Sequence, residues 1–380
     1  MTTIDDSRKL FPHIKDGVIF FNNASTGPLC RPVIEAMELY ITENSRTDID
    51  GFNSFLSKEK DSKKLISKMI NTNPDRIAFI DNTSTGINIL AQGIVWEKGD
   101  RILLNDLEFP ANVYPFLNLE KEGVIVDFVK SKGGIVTADD LIEQIKPETK
   151  LLSVSQVQFL TGYRIDLEKL GNECKKRGII FSVDAIQAMG AINPDVKKCN
   201  IDFLSSGTQK WMCGLQGLGF IYLSEEFQNK LQQKFVGWKS VKNAWNILDY
   251  DLSLRDEASR YQNGTISEIG VYAVCAALNL MKEIGYKNIE EKVLNNAAYL
   301  TDKLIEIDLK PLLANCENKN RSGIVTCKVN NTEKLHEELL NKKIHSAVRE
   351  GYIRFSPHFY NNNEDIDKVI AELSLNNLRG

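Results

Sequence analysis

Three side chains in the middle of the sequence have the types and spacing for imine chemistry. Asp184 and Gln187 stand in "FSVDAIQAMG", and Lys210 follows 26 positions after Asp184 in "SSGTQKWMCGLQGLG". A solvated lysine is protonated at neutral pH and a poor nucleophile. Burial lowers that protonation and lets the amine condense with an aldehyde to form a Schiff base. An aspartate at the end of an apolar strand faces the crevice where α/β sheets hold ligands. Such a carboxylate can keep a heterocyclic nitrogen protonated, which pyridoxal phosphate needs in order to act as an electron sink. Gln187, three residues on, can donate to the ring's phenolic oxygen. The three glycines after Lys210 have the spacing GxxGxG, not GxGxxG, and they run into the apolar "FIYL". They read as turn residues and not as a dinucleotide loop.

These residues need a rigid frame, and the sequence supplies one. Apolar runs at 18–21, 76–80, 100–104, 124–129, 150–157, 179–185, 202–206 and 219–223 read as strands. Several are continuous and not alternating, as in a sheet buried on both faces. Between them lie amphipathic stretches such as 137–145, which opens on a Thr137/Asp140 capping box, and 166–178, bounded by Asp166 and Gly178. Strand and helix in alternation predict an α/β chain with a mostly parallel sheet. After Gly285 the rhythm changes to a long helical region and short mixed segments, which predicts a smaller α+β domain. The expected division is an N-terminal arm over 1–15 that packs on the small domain, a large domain over 16–284 and a small domain over 285–380.

Composition bounds the function. The 380 residues are 42% hydrophobic and 26% charged, with a formal net charge of -4. No basic face is implied, so nucleic acid is not an expected partner. No run of 18 apolar residues occurs and the N-terminus has no signal-like apolar core, so neither a membrane span nor export is expected. Seven scattered cysteines without a CxxC predict free thiols in a reducing cytoplasm. With four histidines and no ligand spacing, no metal centre is expected.

"VDAIQAMGAI" and "DFLSSGTQKWMCGLQGLGFIYL" together resemble the class V aminotransferase family of fold-type-I pyridoxal phosphate enzymes. That family includes cysteine desulfurases, selenocysteine lyases, kynureninases and isopenicillin N epimerases. The resemblance runs from "FFNNASTGPL" to "YIRFSPHFYNNNEDID" and implies a large domain built on a mostly parallel seven-stranded sheet. It implies that Lys210 carries the cofactor aldehyde and moves the Cα proton, that Asp184 holds the ring nitrogen, and that Thr83 and Ser84 hold the phosphate. The last two open "TSTGINIL", and a helix N-terminus favours anions in any case. It further implies that Phe109 stacks on the ring, at a position where desulfurases carry histidine. Gln158 and Gln187 would lie on the phenolic side, and Thr208 and Gln209 would face the phosphate. Gly264 and Thr265 would reach the active site of the partner in a homodimer. Arg354 would bind the α-carboxylate of the substrate. Asn22 and Asn23 fall where relatives line the substrate pocket; which one faces inward stays open, with Asn23 the candidate.

One family tool is missing. Desulfurases place a catalytic cysteine on a loop shortly before the substrate arginine, whereas "KKIHSAVREGYIRFS" contains none. The expected chemistry is therefore aldimine exchange and Cα deprotonation on an amino acid, by a transaminase or an epimerase. Alternatives are a C–S, C–Se or other lyase, an aminotransferase acting on a sugar nucleotide, and a non-catalytic cofactor-binding regulator.

Overall fold

The computed structural model describes residues 3–47 and 49–377. Seven strands form the central sheet: β1 (Ile77–Ile80), β2 (Arg101–Asn105), β3 (Ile125–Val129), β4 (Thr149–Ser155), β5 (Ile180–Asp184), β6 (Phe203–Gly207) and β7 (Gly219–Leu223). Their spatial order is β1-β7-β6-β5-β4-β2-β3. Only β7 runs antiparallel to its neighbours. The carboxyl ends of β1, β2, β4, β5 and β6 consequently open on one edge of the sheet. Strands β1, β6 and β7 are buried along their whole length, which explains their unbroken apolar runs. The N–H of Phe79, on the outer side of β1, donates to Gln262 Oε1 at 3.2 Å, so this edge is capped and not left open to pairing.

The predicted helices have the predicted ends. Thr137 and Asp140 form a reciprocal capping box on Ala138–Glu143. Asp166 caps Leu167–Arg177, which stops at Gly178 with φ +71°. In the C-terminal region, Tyr286–Glu306, Thr332–Asn341 and Asn363–Asn377 pack on a three-stranded antiparallel sheet of β8 (Val325–Lys328), β9 (Ala347–Arg349) and β10 (Tyr352–Phe355).

The first predicted strand belongs elsewhere than in the large domain. Ile19–Phe20 pairs in parallel with Ile344–His345, and Ile19 and Phe21 are buried among Leu300, Val325, Ile353 and Phe355. The division at residue 16 is corrected accordingly: the chain leaves the C-terminal core only after Phe21. Ahead of it, Arg8 makes a bidentate pair with Asp365 at 2.7 and 2.8 Å, and the Phe11 ring lies 4.1 Å from that of Tyr360. All seven cysteines are free thiols. Among the described residues, no helix is long and apolar enough to cross a membrane.

Candidate active site

Asp184 ends β5 and Lys210 follows the neighbouring β6 by three residues, so both arrive at the carboxyl edge of the sheet. There a cavity of about 310 Å³ is lined by Asp184, Gln187, Gln209, Lys210 and Arg354, among others. Asp184 is 2% exposed and Oδ1 accepts the Ile186 N–H at 3.0 Å. Burial pushes its carboxyl up, to about 6, and the nearby Glu108 adds to this, while Lys210 pulls it back. Burial pushes the Lys210 amine well below the usual lysine range; Asp184 opposes the shift, and Arg354 and Arg349 reinforce it. A less protonated amine is what Schiff-base formation requires.

The segment around Lys210 is held from three directions. Gln187 Nε2 donates to the Ala24 carbonyl at 2.9 Å, and Gln187 Oε1 accepts from Trp211 Nε1 at 3.1 Å. His358 bonds the Trp211 carbonyl through Nε2 at 2.8 Å, while its Nδ1 accepts the Phe359 N–H. The proton is thus on Nε2, and burial holds this imidazole neutral, with its pKa lowered to about 4. Gly27 donates its N–H to the Gln209 carbonyl at 2.7 Å, and a Cβ there would run into the Lys210 carbonyl oxygen. The clashing oxygen belongs to the main chain and the Cβ position is fixed by the backbone, so neither can turn aside. Gly27→Ala should destabilise the fold by about 1–3 kcal/mol, read as a lower Tm and weaker cofactor retention.

At the phosphate end, Thr83 opens an eleven-residue helix, Thr83–Gly93, capped by Asn82. Thr83 Oγ is buried with no hydrogen-bond partner, and Ser84 is exposed beside it; both line the cavity. An unpaired hydroxyl at a helix N-terminus suits a phosphate. Phe109 is 46% exposed, lines the cavity and meets Phe159 edge-on at 5.3 Å. Its ring centroid lies 5.9 Å from Lys210 Nζ. A flat apolar face left open beside the lysine suits a planar heterocycle. These residues fit pyridoxal phosphate: a phosphate donor without a partner, a buried acid for the ring nitrogen, a stacking face and a depressed amine.

Arg354 is 1% exposed on β10. Its Nη1 donates to the Phe159 carbonyl and its Nη2 to Ser25 Oγ at 2.9 Å, while Nε has no partner. Burial lowers its pKa to about 9, helped by the charge of Arg349.

Three sequence expectations do not meet the cavity in this chain. Asn23 is fully buried and spent on the small domain: Nδ2 donates to the Ser356 carbonyl at 2.9 Å and Oδ1 accepts from Tyr360 at 3.0 Å. Asn22 does not line the cavity either; Ala24 and Ser25 do. Gln158 turns its amide N–H groups to Glu108 and Asn105, at 2.9 and 3.4 Å. Thr208 is buried with Oγ on the Leu215 and Leu218 carbonyls. Gly264 and Thr265, expected at the partner's active site, do not line this chain's cavity, and Thr265 is exposed. Among the lining residues that were missed are Ser25 and Arg349. The signal for Arg349 was the "REGYIR" hairpin, whose two-residue turn puts both arginines on one sheet face. The glycines after Lys210 are turn residues, as read: Gly217 has φ +83° and Gly219 starts β7 opposite Gly207.

The model for aminotransferase class V matches residues 19–369. An uncharacterized aminotransferase, YcbU of Bacillus subtilis, is 27% identical over 97% of this chain and 96% of its own length. A probable cysteine desulfurase of Methanothermobacter thermautotrophicus is 27% identical over 95% of each chain. The apo structure of a cysteine desulfurase from Thermococcus onnurineus superposes with a TM-score of 0.89 at 25% identity, covering 99% of this chain and 98% of the other. With the fold type I architecture and the cavity described above, this places the chain in the aminotransferase class V family, as a pyridoxal-phosphate-dependent enzyme that acts on an amino acid.

Proposed function

We propose that the enzyme transfers the amino group of an amino acid by proton movement at Cα, and that it does not form persulfide. Bound pyridoxal phosphate supplies the electron sink that makes the Cα proton acidic. Asp184, Thr83, Ser84 and Phe109 would hold that group by its ring nitrogen, phosphate and ring face. Arg354 presents a planar fork to the α-carboxylate and so sets which Cα bond stands perpendicular to the ring. Lys210 Nζ takes the proton from Cα.

The observation that carries this reading is a cavity without a thiol, whose described lining offers one amine, Lys210, and one carboxyl, Asp184, the latter kept for the ring nitrogen. None of the seven cysteines lines it, and burial raises the pKa of each one. Persulfide chemistry needs an accessible thiolate. Between β9 and β10 the chain turns in only two residues, Glu350 and Gly351, both with positive φ. No loop is left there to carry a cysteine. Returning a proton to the opposite face of Cα, as in epimerisation, needs a second acid, and the aromatic Phe109 offers none.

The test is a panel of amino acids given to the holoenzyme without an acceptor. The expected result is release of one equivalent of keto acid per site and no sulfide from cysteine. Catalytic release of sulfide, or inversion at Cα without keto acid, would overturn the reading.

The same family membership supports a homodimer in which Gly264 and Thr265 complete the partner's phosphate site. The exposure of Thr265 agrees with this, as does the exposed apolar run before it, with Trp245 65%, Leu248 84% and Tyr250 89% exposed. Exposed apolar surface of this kind marks an interface. Sedimentation at micromolar concentration should give a dimer, and Thr265→Glu should weaken cofactor retention by charge repulsion with the phosphate.

A further inference from the structure

The proposed transfer uses one guanidinium, yet the cavity is built around two. Arg349 ends β9, and Arg354 sits on β10 diagonally across the hairpin, because Arg349 pairs with Tyr352 and Ala347 with Arg354. Diagonal neighbours in an antiparallel pair share a face. Both side chains converge on one atom: Ser25 Oγ accepts from Arg354 Nη2 at 2.9 Å and from Arg349 Nη2 at 3.1 Å. Arg349 Nη1 donates to the Val348 carbonyl at 2.7 Å.

Among the described residues neither guanidinium has a carboxylate partner. Neither of the two acids at the cavity pairs with an arginine. Asp184 lines it at the end of β5 and accepts the Ile186 N–H. Glu108 is buried and accepts from Asn105, Asn112, Gln158 and both the N–H and hydroxyl of Ser155. Two like charges are thus held at the wall of a small cavity with only a hydroxyl between them, and each raises the cost of the other. The α-carboxylate of a neutral amino acid would balance one of them.

Resting on the transfer reading above, we infer that the substrate is an acidic amino acid, with its α-carboxylate on the deeply buried Arg354 and its side-chain anion on the half-buried Arg349. A second anion balances the second guanidinium, and the two guanidiniums recognise opposite ends of one short diacid. Arg349 is then the residue that sets side-chain specificity.

The experiment separates this from the transfer reading by measuring binding without an amino group. Succinate and glutarate are titrated against the holoenzyme by calorimetry, beside butyrate and valerate of equal carbon number. The diacids are expected to bind at least about tenfold tighter, the scale of one charge-assisted pair. In Arg349→Gln the diacid is expected to lose about tenfold more affinity than the monoacid, and Arg349→Lys to recover part of that loss. Equal binding of diacid and monoacid to the wild type, or an equal loss for both in Arg349→Gln, would overturn the assignment. Neither result depends on whether keto acid or sulfide is the product, so the two readings fail independently.

Discussion

Replacing Lys210 by alanine is expected to lower turnover by about 10³-fold or more, the range of a positioned proton-transfer group, while leaving the protein folded. The physical reason for the second half is specific to this site. Lys210 has no carboxylate partner within ion-pair reach among the described residues, and burial already works against its charge. Removing it takes away a desolvated amine and not a structural tie. The surrounding ties run through Gln187, Trp211 and His358, none of which uses the lysine side chain. Added small primary amines should therefore restore part of the rate, because an amine can enter the space and take the Cα proton. The check is initial rate against amine concentration in Lys210→Ala, with thermal melting in parallel. A rate within tenfold of wild type, or a rate that ignores added amine, would remove Lys210 from its role.

The part of the site legible in sequence is the part fixed by short-range order. Asp184 and Lys210 were readable because each sits at the end of a continuous apolar strand, and ends of adjacent parallel strands meet on one edge. Thr83 and Ser84 were readable because a helix start announces itself locally. What the sequence could not show is which partners claim a side chain, some of them hundreds of residues away. Asn23 looked like a pocket residue by position, but Ser356 and Tyr360 claim its amide, and the turn that follows points Ser25 into the cavity instead. Gln158 and Thr208 lie in the expected segments, yet Glu108 and two carbonyls of the next turn satisfy them away from the cavity. The strand at Ile19 was legible as a strand, but not its partner, since parallel pairing with Ile344 closes a loop of most of the chain. Phe109 reads in isolation as a core residue. Only the fold shows that its ring is left uncovered beside Lys210.

The second large effect concerns Asp184. An opposite charge within a few ångströms favours a protonated nitrogen by roughly 1–3 pKa units, so Asp184→Asn is expected to cost about 10²-fold in turnover. The variant isolates charge, because asparagine keeps the size and can still accept the Ile186 N–H that Oδ1 now takes at 3.0 Å. Stability should move the other way. Burial drives the carboxyl up to about 6, so above that pH the chain without cofactor holds an ionised acid at a cost that the amide escapes. The sign follows from the raised value: the native carboxyl binds its proton more tightly than the unfolded one. Its penalty is therefore absent below the ordinary aspartate range and grows as pH rises through 6. Cofactor-free Asp184→Asn should thus melt above the cofactor-free parent at pH 8, with the difference shrinking toward pH 5. Asp184→Glu keeps the charge and should retain more turnover than Asp184→Asn despite its poorer fit. If the asparagine variant kept full turnover, the carboxylate would be a packing residue only, and the ring nitrogen's proton would have to be held elsewhere.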